Sequence, residues 1–174
     1  MEKKNAPFII VRGAPGSGKT TFANRLKLML GAASTGLFET DNFFVDQVDG
    51  RYRFDPSLLG TAHAWNQGEV IRFCRDYNPT CPVIVANTMT RNSEVEAYLR
   101  IAKLFDRPVT VFILKTQHEN KHGVPAEKVQ AMRDRMQDLD LDRFKMLYDI
   151  EATYEICRDE DKAAKIDQFI EFHT

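Results

Sequence analysis

Gly13-Ala14-Pro15-Gly16-Ser17-Gly18-Lys19-Thr20 decides how this chain is read. The stretch fits G-x-x-x-x-G-K-[ST] at every fixed position. Before it lies Phe8–Arg12 (FIIVR), a short apolar run that reads as a buried strand. After it, Phe22, Ala23, Leu26, Met29 and Leu30 recur at helical spacing until Gly31 ends the run. Glycines let a backbone wrap a triphosphate and turn successive N–H groups inward. The following helix N-terminus adds partial positive charge. Residues Gly13 to Thr20, with Thr21 in the first helical turn, are therefore the expected nucleotide-binding stretch. Lys19 is expected to neutralise the β- and γ-phosphates, and the Thr20 hydroxyl to ligate Mg²⁺. The competing reading is a glycine-rich strand–helix turn that binds no nucleotide.

Outward from this loop, strands and helices alternate. Gly36–Thr40, Pro82–Asn87 and Pro108–Leu114 read as further strands. Helices are expected from Asp55-Pro56-Ser57 to about Tyr77, over Asn92–Phe105, over Pro125–Gln137 and over Lys162–Phe172. Thr116–Val124 is polar and reads as a loop, and Glu151–Cys157 fits either a strand or a helix. Continuous apolar strands alternating with helices indicate an α/β P-loop NTPase fold, a parallel β-sheet flanked by helices. Ligands of such sheets bind beyond the C-terminal ends of the strands.

The chain has 174 residues, enough for one domain with a real core. Its 24 basic and 25 acidic residues exclude a histone-like protein and a disordered acidic chain. Charge is nonetheless segregated. Residues 138–161 hold nine acids against three bases, a net of −6, whereas residues 1–137 carry +5. Either the acidic stretch is a solvated helix face, or a basic body meets phosphate-rich ligands while the acidic end faces away. Three cysteines do not make a disulfide framework, and His63 and His122 show no metal-ligand spacing with them. No apolar run approaches a membrane span, and MEKKNAPF is not a signal-peptide core. The expectation is a cytoplasmic, reduced protein without membrane association.

A guanine-reading N-K-x-D is absent, and the PVIVA strand ends in Ala86-Asn87 rather than in the acid of a motor ATPase. A small kinase is left. Asp41 lies just beyond the second strand, in GLFETDNFF. A carboxylate there could accept the proton of an attacking hydroxyl or hold a Mg²⁺ water; it could equally cap the next short helix. Glu39 is the alternative carboxylate, on the same side by two-residue alternation. Phe43, Phe44, Tyr52, Arg53, His63 and Trp65 follow, and aromatics interleaved with Arg51 and Arg53 could stack a base and hold a backbone phosphate. They could also be core and surface, respectively. His63 and Trp65 diverge by about 200° on a helix and do not share one site.

The phosphate loop, T-D-N-F-F at 40–44, D-G-R-Y-R-F-D-P at 49–56, A-H-A-W-N-Q at 62–67, V-I-V-A-N-T at 83–88, E-x-x-x-Y at Glu94–Tyr98 and H-G-V-P-A-E-K at 122–128 together resemble the polynucleotide-kinase-like P-loop family. That family holds polynucleotide 5′-kinase domains and a ubiquitin-ligase-binding group, with AAA-type ATP binding. The resemblance covers about residues 8–137. It implies a helical lid, here at about 116–137, with ATP as donor and a nucleic-acid or nucleotide hydroxyl as acceptor. It also implies Lys19 and Thr20 on phosphate and Mg²⁺, with Asp41 as general base and at the metal. The residues expected to meet the acceptor are Phe44, Arg53, Asn87 and Thr88. The organisation implied is a single domain over 1–174, with a family core at 1–137 and an acidic C-terminal extension at 138–174.

Two departures stand out. The family's third strand usually ends in an acid, replaced here by Ala86. Its lid usually carries arginines before H-G-V, where this chain has Glu119 and, as its only reliable cation, Lys121. Lys121 can act as a point charge, and Arg133 and Arg135 on the next helix are other candidates. The leading expectation is an ATP- and Mg²⁺-dependent kinase of nucleic-acid or nucleotide hydroxyls. A small-metabolite or modified-base (hydroxymethyl-pyrimidine) kinase, or a catalytically weakened ATP-binding regulator, is the alternative. The residues name no protein partner.

Overall fold

The computed structural model describes residues 5–118 and 123–173. Five strands form one sheet: β1 (Phe8–Arg12), β2 (Gly36–Phe38), β3 (Val83–Asn87), β4 (Val109–Leu114) and β5 (Ala152–Cys157). Their order is β2-β3-β1-β4-β5 and every pairing is parallel. Among the described residues six α-helices accompany them: α1 (Lys19–Gly31), α2 (Leu59–Asp76), α3 (Asn92–Leu104), α4 (Ala126–Asp134), α5 (Leu141–Tyr148) and α6 (Lys162–His173).

Strand alternation divides the core into two layers. Phe8, Ile10, Val83, Val85, Val109 and Val111 face one way and pack with Val70, Val95, Leu99 and Phe144 of α2, α3 and α5. Ile9, Val11, Ile84, Ala86, Phe112 and Leu114 face the other way, with Phe22 and Leu26 of α1 and Ile166 and Phe169 of α6. Burial on both faces explains the continuous apolar runs of β1, β3 and β4, which leave no room for a polar alternation. It also places the phosphate loop at the C-terminal end of β1, the central strand.

The structure differs from the sequence reading at several boundaries. β2 stops at Phe38, not Thr40, because the Thr40 N–H turns out of the ladder to the Asn87 side chain. Thr40–Phe44 then forms a 3₁₀ helix. The helix expected from Asp55 begins as a 3₁₀ turn, Pro56–Leu58, with Asp55 Oδ1 accepting from Ser57 N at 2.8 Å. α4 ends at Asp134 rather than Gln137, because Gln137 N donates to the Thr90 carbonyl and the Gln137 carbonyl accepts from Arg12 Nη2. α5 was not anticipated; Asp140 caps it by accepting from Arg143 N at 3.1 Å. The ambiguous 151–157 segment is β5, paired residue for residue with β4 from Val109↔Ala152 to Leu114↔Cys157. The acidic stretch thus supplies the fifth strand, and α6 beyond it covers α1 and Phe112. No helix among the described residues is long and apolar enough to cross a membrane.

Candidate active site

The loop from Gly13 to Thr20 needs its glycines. Gly16 and Gly18 have φ of 79° and 85°, the left-handed region that side chains resist. A Cβ on Gly13 would come within 2.5 Å of Ser17 Oγ and 2.9 Å of the Leu114 carbonyl. Ala14 and Ser17 are buried, Pro15 is half-buried, and Thr20 and Thr21 are exposed on the first turn of α1. Lys19 curls back so that its Nζ donates to the Ala14 carbonyl at 3.0 Å. Burial pulls the Lys19 ammonium down to about 8, against the opposing pull of the Asp41 and Glu39 carboxylates. The Thr20 hydroxyl donates to Glu39 Oε1 at 2.7 Å.

The carboxylates come from the end of β2. Asn87, at the end of neighbouring β3, accepts from Thr40 N at 2.7 Å and donates to the Tyr98 hydroxyl at 3.4 Å. Asn66 Nδ2 also reaches that hydroxyl, at 2.8 Å. His63 Nδ1 lies 3.4 Å from Thr40 Oγ1. This buried set fixes where the chain turns, and so where Glu39 and Asp41 stand on either side of Thr40. Asp41 is exposed, and the Tyr52 hydroxyl donates to its Oδ1 at 3.4 Å. Partial burial and the Asp41 charge push the Tyr52 phenol up to about 12.

The expected acceptor-side residues divide. Asn87 is buried with both ends of its amide engaged, which helps to fix where the carboxylates stand. Phe44 is buried at the centre of an aromatic cluster, with ring centroids 5.2 Å from Phe43, 5.0 Å from Phe54 and 6.2 Å from Tyr52. Its neighbours enclose it because Val45 and Tyr52 bridge as a hairpin. The faces that remain half-exposed are Tyr52, Phe54 and Trp65. Arg53 pairs with Asp46 (3.1 Å) and Asp49 (2.5 Å) while its side chain stays largely exposed. The Thr88 carbonyl accepts from Gly13 N at 3.3 Å, and its side chain is half-buried near the loop.

On the other side, Arg133 of α4 lines a groove of about 500 Å³ together with Pro15, Gln117, His118, Glu127 and Gln130. Lys121, the other lid cation expected from the sequence, lies outside the described residues.

Three residues were missed. Lys162, at the start of α6, donates to the Ser17 carbonyl (3.0 Å), Thr116 Oγ1 (2.9 Å) and Asp159 Oδ1 (3.0 Å). His118 joins the same cluster, with Nε2 2.8 Å from Asp159 Oδ1 and its N–H on the Gly16 carbonyl. The loop's outer wall is therefore built by the region read as an extension. Arg12, taken only as a strand end, is fully buried; its Nη2 donates to the Gln137 carbonyl at 3.0 Å, and desolvation lowers its pKa. Its position directly before Gly13 was the one available signal.

Comparison with known proteins agrees with this geometry. The AAA domain family matches residues 8–148. NEDD4-binding protein 2 of Homo sapiens is 31% identical over 139 residues, covering 75% of this chain and 8% of that protein. The chain therefore spans less than a tenth of that relative's length. Among solved structures, a candidate kinase of Chloroflexus aurantiacus has a TM-score of 0.67 at 14% identity, covering 98% of this chain and 99% of its own. Shikimate kinase of Acinetobacter baumannii, in complex with shikimate, has a TM-score of 0.57 at 17% identity, covering 97% of this chain and 95% of its own. These two likenesses establish the P-loop kinase fold.

Proposed function

Since the chain belongs to the AAA domain family, in its polynucleotide-kinase-like P-loop branch, we propose that it is an ATP- and Mg²⁺-dependent kinase that phosphorylates a hydroxyl of a nucleic acid or nucleotide. The observation that carries the reading is the meeting of the phosphate loop with a carboxylate pair. Thr20 touches Glu39, and exposed Asp41 lies within electrostatic reach of Lys19. A nucleotide-binding turn without chemistry has no need of that pair.

Asp41 accepts the proton of the acceptor hydroxyl, held in place by the Tyr52 hydroxyl and by the 3₁₀ turn that Asn87 anchors. The freed oxygen attacks the γ-phosphorus in line, the bond to the β–γ bridging oxygen breaks, and the diphosphate leaves. Lys19 moves from the Ala14 carbonyl onto the β/γ oxygens, while the loop amides and the start of α1 hold the rest. Arg133, which lines the groove beside Pro15, supplies charge to the transferring phosphoryl, and Lys121 is the second cation the sequence offers for that task. Thr20 and Asp41 are oxygen donors of the kind Mg²⁺ prefers, and they would hold it with the phosphates. When bound, the ion neutralises charge developing between the β- and γ-phosphoryl groups.

The test is transfer of labelled γ-phosphate to a panel of single- and double-stranded oligonucleotides, hydroxymethyl-pyrimidine DNA, nucleosides and small hydroxylated metabolites. Asp41→Asn should lower turnover by about 10²- to 10⁴-fold with nucleotide affinity nearly kept. Absence of transfer to any acceptor would refute the kinase reading. A second reading, an ATP-binding regulator, draws on Ala86, which is packed in the core where an acid would otherwise help phosphoryl transfer. It requires ATP binding with a turnover equal to that of Lys19→Ala. Because Arg53 is occupied by aspartates, transfer confined to nucleosides or metabolites would point to the small-acceptor alternative.

A further inference from the structure

We propose that Glu39 is the carboxylate that holds the nucleotide's divalent cation beside Thr20, doing from β2 what β3 does not do. The inference rests on the nucleotide-binding reading above and assigns a residue that reading left without a role.

Thr20 is the loop hydroxyl from which a P-loop cation is ligated, and the partner it needs is a carboxylate nearby. At the end of β3 the chain offers none. Ala86 is 3% exposed and packs against the layer under α1. Asn87 is spent on Thr40 and Tyr98. β2, however, runs beside β3 in register, with Phe38 opposite Val85. The residue after Phe38 is Glu39, which comes level with Ala86 one strand over. Its longer side chain reaches back to the loop and accepts the Thr20 proton at 2.7 Å. That bond turns the hydroxyl's lone pairs away from Glu39, the orientation a metal-bound hydroxyl requires. Among the described residues, Glu39 Oε2 has no hydrogen-bond partner and remains an open oxygen.

The two carboxylates also differ in what holds them. Glu39 is tied to the phosphate side through Thr20, whereas Asp41 is tied to the acceptor side through Tyr52. On this proposal cation holding and proton abstraction are separated onto two residues: Glu39 takes the metal-holding place that the reading above gave to Asp41, and Asp41 keeps the proton. The lowered Lys19 pKa, opposed by both carboxylates, is consistent with each lying close to the phosphate position. No group of three or more His, Cys, Asp or Glu among the described residues is placed to hold a metal alone. The cation therefore arrives with the nucleotide, whose phosphate oxygens complete its shell.

The experiment is a fluorescence titration with an N-methylanthraniloyl ATP analogue, in Mg²⁺ and in EDTA, on wild type and Glu39→Gln. Thermal melting of both proteins accompanies it. The isosteric amide keeps a partner for Thr20 and removes the charge. In wild type, Mg²⁺ should tighten binding by on the order of tenfold or more, the usual scale for losing a metal-site partner. In Glu39→Gln that enhancement should fall below about threefold, with affinity in EDTA equal or higher because a repelling carboxylate is gone. An undiminished Mg²⁺ enhancement overturns the assignment. So does an equal loss with and without Mg²⁺, which marks a purely structural residue. A wild type that binds no nucleotide in either condition overturns the nucleotide-binding reading itself, an outcome distinct from both.

Discussion

Raising the pH should weaken nucleotide binding through one residue, Lys19. Its ammonium is pulled from an ordinary 10.5 to about 8 by burial in the loop, although Asp41 and Glu39 pull the other way. That drop corresponds to about 3 kcal/mol of penalty for keeping the charge buried in the loop. The folded protein therefore binds fewer protons than the unfolded chain between about pH 8 and 10.5. The penalty is fully present below pH 8, and stability recovers as pH rises through that window. Nucleotide reverses the balance, because phosphate oxygens stabilise the ammonium. Below pH 8 Lys19 is already charged and affinity should be flat once the γ-phosphate has finished titrating. Above pH 8 binding must take up a proton, about three-quarters of one at pH 8.5, and affinity should fall toward tenfold per pH unit. Isothermal titration in two buffers of different ionisation enthalpy measures that uptake directly. Lys19→Met should show weak, pH-independent binding over the same range. A wild-type affinity that stays flat to pH 9.5, or a slope shared with Lys19→Met, would refute the argument.

Three further outcomes follow from buried polar groups. Lys162→Met removes an ammonium that bonds the Ser17 carbonyl and Thr116 Oγ1, so thermal melting should drop by about 3–10 °C and nucleotide affinity with it. Tyr98→Phe strips buried Asn66 of the acceptor for its Nδ2, a loss of about 1–3 kcal/mol in denaturant unfolding. It should also loosen Asn87 and lower turnover more than affinity. Arg12→Met keeps volume while removing a guanidinium whose Nε and Nη1 have no partner among the described residues. Its unfolding free energy should stay within about 1 kcal/mol of wild type, whereas a larger loss would mean that the bond to Gln137 outweighs desolvation.

The parts of the fold legible in sequence were those whose physics is local. β1, β3 and β4 are buried on both faces, so their apolar runs are continuous, and the loop is a contiguous motif. β5 was ambiguous for the opposite reason. It is an edge strand whose ends are buried while residues between them are exposed or half-exposed, and Ala152-Thr153-Tyr154-Glu155-Ile156-Cys157 shows neither a strand nor a helix period cleanly. α5 has eight residues and a single buried one, Phe144, too little to reveal a 3.6-residue repeat. The site follows the same division. Lys19, Thr20 and Asp41 could be found by walking along the chain from the loop. Lys162 could not, since it meets Ser17 across 145 residues. The surroundings of Phe44 and Arg53 were not legible, because composition does not say which aromatic its neighbours will enclose, or which arginine finds aspartates in its own hairpin.

The charge split of the sequence, −6 over residues 138–161 against +5 before it, is partly offset by ion pairs in the folded chain. The acids of that segment meet bases from elsewhere: Asp138 with Lys115 at 3.8 Å, Asp149 with Lys103 at 3.6 Å, and Asp159 with Lys162 at 3.0 Å. Glu155 takes Lys165 at 2.6 Å. These pairs are largely exposed, so each adds little stability. Their effect is to cancel charge locally, since opposite charges a few ångströms apart look neutral beyond about one Debye length. What a nucleotide meets is the loop's own field: amides turned inward by left-handed Gly16 and Gly18, the start of α1, and one buried lysine. Against that stand Glu39 and Asp41, two negative charges that repel the phosphates unless a cation and an acceptor proton come between them. Binding in this site should accordingly depend more steeply on divalent cation than on ionic strength.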